Sequence, residues 1–178
     1  MRPIADPPPR GPAGRRRRAG LGSLAAGSAL VLGACGSFGS TDTLPSDEVV
    51  GHYDAVAEDL IAAMDTVRPL AWEHGSQGVI EPGAADCRYR AGAWQADEPL
   101  YPEPGQGMDW DPWREALDPV LQEHGFEELG REKSSGAVLE VESTDDHGAR
   151  LVLESTGAFR ITDIPVDAEP CEDATLGL

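Results

Sequence analysis

The side chains in this 178-residue chain that could do chemistry are few: three cysteines, four histidines, four tryptophans and some acidic turns. A thiolate can attack, bind a soft metal or pair with a second thiol. Cys35, Cys87 and Cys171 are far apart, and neither Cys87 nor Cys171 has an obvious base beside it in sequence. His52, His74, His124 and His147 form no HExxH, no HxH and no close His–Cys spacing, so they read as packed or solvated single residues rather than zinc ligands. A G-x-S-x-G, a serine triad, a phosphate loop and a dinucleotide glycine pattern are all missing. The expectation is a non-enzyme, with no cofactor or metal implied.

Two acidic spots could bind a ligand. Asp109 and Asp111 flank Trp110, Trp113 follows, and Glu98 and Glu103 lie just upstream; Asp145 and Asp146 form a turn. Hard cations take several oxygen ligands, and aromatic side chains in a proline-rich loop can line a groove for a small ligand. Asp109, Trp110, Asp111 and Trp113 are therefore the candidate ligand-binding residues. The EF-hand spacing is absent, and a chain this acidic clusters carboxylates by chance. Trp94 and Trp113 stand at regular positions and also read as core.

Residues 15–35 supply an address. Arg15, Arg16, Arg17 and Arg18 precede an apolar run, rich in small residues, that stops at Cys35. A basic head, a short apolar run and a small-residue exit form an export signal. The run is about 14 residues, whereas a helix needs roughly 20 to cross the hydrocarbon core, so it is not a stable span. Leu32-Gly33-Ala34-Cys35 resembles the lipobox of bacterial lipoproteins. The resemblance implies cleavage between Ala34 and Cys35 and a diacylglycerol on Cys35. Without the lipid, the same run would be an ordinary cleaved signal. Paired arginines can also address the twin-arginine exporter, but the residues after Arg18 fit that pattern poorly, which favours the general route.

Three parts follow: residues 1–34 as a removed signal, 35–45 as lipidated cysteine and flexible tether, and 46–178 as one extracytoplasmic domain. The tether is small and polar, and about ten such residues span roughly 15–20 Å as a coil. The whole chain holds 14 basic and 32 acidic residues; six arginines and Asp6 fall in the first 34, leaving 8 against 31, a net charge of −23. Such a surface is repelled by nucleic-acid phosphates and by anionic headgroups. No nucleic-acid partner is expected, and membrane attachment falls to the lipid on Cys35.

Residues 46–67 predict an amphipathic helix capped by Ser46, with Val49, Tyr53, Val56, Leu60, Met64 and Val67 on one side and Pro69 ending it. Residues 75–85 read as a glycine-rich loop, 87–94 as a strand, and 96–107 as an exposed loop interrupted by prolines. Asp111 and Pro112 start a second helix that Gly125 stops, with Phe126 folding back; Pro119 predicts a kink or two short helices. Residues 139–161 alternate as a one-faced antiparallel meander in which Glu142 should lie opposite Arg150, and 126–133 could add an edge strand.

With Cys35 lipidated, Cys87 and Cys171 are an even pair in an oxidising compartment and are expected to be joined. Closing a loop of about 85 residues contributes at most roughly 4–5 kcal/mol in the chain-entropy account. The fold class expected is α+β: two helices on one face of an antiparallel sheet of four to five strands ending in a meander, with one disulfide.

This layout, with Cys87, Trp113, Gly125, Phe126 and Cys171 at its landmarks, resembles the small actinobacterial cell-envelope lipoproteins of the LppA-like kind. The resemblance implies no catalytic residue. No activity comes with it either; the anchor beside the missing catalytic constellation leads instead to the expectation of a non-catalytic protein on the extracytoplasmic face of the cell membrane that engages another envelope component, a protein partner being one possibility. The alternative is a carrier for a small ligand or cation at residues 97–113.

Overall fold

The computed structural model describes residues 43–84, 86–101 and 107–178. The export signal, Ala34, Cys35 and the tether up to residue 42 lie outside the described residues, as does the proline-rich segment 102–106. The elements run β1 (Leu44–Pro45), α1 (Val49–Val67), β2 (Trp72–Ser76), β3 (Val79–Pro82), β4 (Cys87–Arg90), β5 (Gly92–Ala96), α2 (Asp111–Glu123), β6 (Lys133–Ser135), β7 (Val138–Thr144), β8 (Arg150–Glu154), β9 (Ala158–Thr162) and β10 (Ile164–Asp167). A turn of 3-10 helix at Asp173–Thr175 closes the chain.

Helix α1 follows the apolar period. Val49, Tyr53, Val56, Ala57, Leu60 and Met64 are its buried stripe. The helix starts later than expected. Ser46 sits in a turn that Glu48 closes by donating its N–H to the Pro45 carbonyl at 3.1 Å, and Glu48 caps without a side-chain bond. The end is as expected: Arg68 is extended, as the residue before a proline prefers.

The α+β class holds, but the single sheet of four to five strands does not. There are two sheets, of order β2-β5-β9-β8-β7-β6 and β1-β10-β4-β3, and β1 pairs parallel to β10. Three long strands account for the difference. Segments 72–82, 87–96 and 158–167 each break at one level, between β2 and β3, between β4 and β5, and between β9 and β10. Above the break they pair as β2-β5-β9 and below it as β3-β4-β10. Gly92, with φ +124°, and Asp163, with φ +62°, make two of the turns. A Cβ at Gly92 would come within 2.5 Å of both His74 Nε2 and the Ser76 carbonyl. The glycine-rich segment expected to be a loop therefore carries β3, and the strand expected at 87–94 is two strands.

The meander is present as β7, β8 and β9. Its register differs from the expected one: Glu142 faces Val152, and Arg150 faces Thr144, so Arg150 reaches Glu142 diagonally. Lys133 binds the same carboxylate, and the hydrogen bonds from Lys133 and Arg150 hold Glu142 below the usual carboxylate range. The edge strand expected at 126–133 falls later, as β6 at Lys133–Ser135, and residues 126–130 run beside β7 through Glu127 N–H to Thr144 and Gly130 N–H to Glu142 without forming a strand.

Helix α2 passes through Pro119 as one helix. Pro119 and Glu115, the residue whose carbonyl the missing N–H would have met, both face solvent, where water can serve that carbonyl. Asp118 does not cap; its Oδ1 accepts the Leu129 N–H at 2.9 Å. The stop is as expected: Gly125 has φ +78°, and Phe126 N–H returns to the Leu121 carbonyl at 2.8 Å. The disulfide joins Cys87 to Cys171 with Cα atoms 5.5 Å apart, tying the tail to β4.

Gly92→Ala is expected to lower stability by more than about 1 kcal/mol, because a side chain there is both left-handed and in collision with β2. A fall in the urea midpoint checks this.

Candidate functional site

The geometry brings together residues that the sequence leaves as singles. Helix α2 runs back along α1, with Leu117 against Leu60 and Met64, and its end at His124 arrives beside the start of α1. The chain then reverses at Gly125 and is strapped to the β7–β8 turn. Phe126 bridges Asp145, and Asp146 N–H donates to the Gly125 carbonyl at 3.0 Å. Gly148, with φ +91°, lets the turn close by its N–H bond to the Asp145 carbonyl. The result is a junction of α1, the α2 terminus and this turn.

Three imidazoles meet there. The His52 ring lies 6.1 Å from that of His124 and 6.0 Å from that of His147, both edge-on, and 4.8 Å from the Tyr53 ring. Beside them, the Tyr53 hydroxyl donates to Asp145 Oδ2 at 2.6 Å, and the Ala149 N–H donates to Asp145 Oδ1 at 2.7 Å. Asp145 is the one charged residue buried among the described residues, 7% exposed, and both its oxygens are engaged. Burial, and then the bond to Asp145, push the Tyr53 hydroxyl well above the usual phenol range, so it remains a donor.

His52 Nε2 is fully enclosed and has no hydrogen-bond partner. Burial first, and then the neighbouring His147 and His124, hold this imidazole below its ordinary 6.5, against a smaller raising effect of Asp145. The rings do not converge on a metal: His124 turns Nε2 to Asp59 Oδ2 at 2.9 Å, two turns of α1 beyond His52. Among the described residues, no group of three or more His, Cys, Asp or Glu could hold a metal ion.

The fourth histidine lies elsewhere. His74 stacks on Trp94 at 4.8 Å, Trp94 stacks on Phe159 at 4.8 Å, and Trp72 meets Phe159 edge-on at 5.4 Å. Two shallow clefts of about 320 and 260 Å3 between this stack and α1 share His74 and Asp54. Tyr89, lining the first, has its hydroxyl pushed up to about 12 by burial and by the Asp54 carboxylate.

The residues singled out from sequence are placed differently. Trp110 and Trp113 are 6% and 4% exposed and belong to the core; the Trp110 indole N–H donates to Glu132 at 2.7 Å. Asp109 and Asp111 stay exposed, and Asp109 Oδ1 accepts the Asp111 N–H at 3.1 Å, an Asx turn at the start of α2. Asp145 and Asp146 instead hold the junction described above. The signal for it was weak but present: His52 is next to Tyr53 of the core stripe, His124 next to the helix stop, and His147 inside a turn. Only the path of α2 along α1 brings them together.

Among the described residues, no helix is long and apolar enough to cross a membrane. Tyr53→Phe removes the donor and leaves a buried carboxylate oxygen unmatched, so it is expected to cost about 1.5–3 kcal/mol, read as a lower urea midpoint at unchanged slope. No family model, no curated protein and no solved structure matches this chain.

Proposed function

We propose that the protein is a lipid-anchored component of a cell envelope. It is held on the extracytoplasmic face of the membrane by a diacylglyceryl Cys35, and its acidic, non-catalytic domain binds another envelope component through its surface. The observation that carries surface binding is the filled interior. Leu60, Met64, Leu117, Leu151, Leu153 and Phe159 close the space between helices and sheet to a void of about 10 Å3, too small for a ligand.

Charge points to the kind of partner. Arg88, Arg90, Lys133, Arg150 and Arg160 pair with carboxylates, and Arg68 and Arg114 donate to backbone carbonyls. Most of the domain's cations are thus engaged within it. Asp54, Glu58, Asp65, Glu73, Asp97 and Glu98 remain on an exposed acidic surface. A basic surface on a neighbouring envelope protein complements it, and complementary charge steers encounter more than it tightens binding. The lipobox-like Leu32-Gly33-Ala34-Cys35 and the acidity of the body support an anchor that is lipid rather than charge.

Two experiments test this reading. Cys35→Ala is expected to release the protein from the membrane fraction; tight retention of the variant overturns the anchor. Cross-linking of the intact protein in its native membrane, followed by mass spectrometry, is expected to capture a protein through a basic contact face, with capture weakened by added salt. Capture that is indifferent to salt, or none at native abundance, overturns the partner class.

A further inference from the structure

We propose that the histidine cluster is an acid-opened latch: a proton taken up at His52 Nε2 unseats the β7–β8 turn from the first half of α1. This goes beyond the envelope reading and does not depend on the lipid.

The argument is geometric. The turn is held to α1 and to the end of α2 by a small set of contacts. These are Tyr53 to Asp145, the Phe126–Asp145 bridge, Asp146 to Gly125, and the rings of His52, His124 and His147. His52 Nε2 sits enclosed among them with no acceptor. A protonated ring needs an acceptor for its second N–H, or water, since an unmatched buried charge costs several kcal/mol.

None of the charged and titratable groups that face His52 is hydrogen-bonded to Nε2. From α1 comes Tyr53, whose proton is already given to Asp145, and Asp59 is engaged by His124. From the end of α2 comes His124 and from the turn His147, both of which oppose a charge on His52. Also from the turn comes Asp145, the one counter-charge, whose two oxygens already accept Tyr53 and the Ala149 N–H. Asp146 lies against Gly125. Movement of the turn is the smallest change that lets water reach Nε2. The rest of α1 is kept by Val49, Val56, Leu60 and Met64, so the opening is local.

The direction of the pH effect follows. A folded-state value below 6.5 means that the open form binds the proton first. The closed junction is therefore fully stable above 6.5, weakens as pH falls below it, and levels off only below the folded value. One proton changes the opening constant by up to about tenfold per pH unit within that window.

The test uses the full-length protein in detergent micelles. Imidazole resonances are followed by NMR from pH 8 to pH 5, with amide hydrogen exchange of Asp146 and Ala149 corrected for intrinsic rate. The expected result is that His52 titrates below 6.5, that protection at these amides falls by up to about tenfold per pH unit below 6.5, and that His52→Phe abolishes the fall. Titration of His52 at or above 6.5, or equal loss of protection in His52→Phe, overturns the latch. If His52→Phe does not fold, the unmodified protein still decides: protection unchanged between pH 7.5 and pH 5 overturns it.

Discussion

The antiparallel pairing of segments 87–96 and 158–167 is the constraint on which the structure depends. It runs through both sheets, as β4 with β10 and β5 with β9, and continues through the bend at Gly92 and Asp163. Without the bend, the six-stranded sheet that carries the helices and the four-stranded sheet that carries the disulfide could not share strands. The Ala91 N–H, between β4 and β5, reaches the Ile161 carbonyl of β9 at 3.0 Å, which keeps the two segments together across the break. The sequence cost of that bend is a glycine with β2 closed over it, and a left-handed aspartate.

From this frame the energetics divide by face. The inner face of the large sheet, with α1 and α2, holds a closely filled apolar core. The outer face is set by ion pairs. Val152, fully buried, has Glu142 and Arg160 as cross-strand partners, each part of an ion pair. Such pairs contribute little individually at a surface. Their larger effect is on the distribution of charge: basic side chains are drawn into the sheet while carboxylates accumulate along α1 and the loops around it.

What could be read in the sequence was periodic. The apolar stripe of α1, the meander and the Gly125 stop were all legible, because each writes a regular spacing or a special backbone conformation into residue types. The even cysteine pair was legible from compartment logic. The short strands β1, β3 and β10 were not, since two to four residues cannot show alternation and Pro82 and Pro165 argue against strand. Pro119 misled because its effect depends on which way the helix faces. Trp113 was legible as core from its regular position, whereas Trp110 misled because proximity to prolines suggests exposure, while its partner Glu132 comes from elsewhere in the chain. The histidine junction combines residues up to 95 positions apart, and no local pattern encodes it.

The parallel pairing of β1 with β10 has a mechanical consequence. The described chain enters the domain at Leu44, which is registered with Val166 at the edge of the four-stranded sheet. Tension applied through Leu44 is carried first by β10, not by α1. β10 is hydrogen-bonded along its other edge to β4, and the tail that follows it is bonded covalently to the start of β4. A pull from the N-terminal side thus meets a cross-linked pair of strands before it reaches the helices, and the two short residues of β1 form the part that yields first, like a fuse ahead of the folded body.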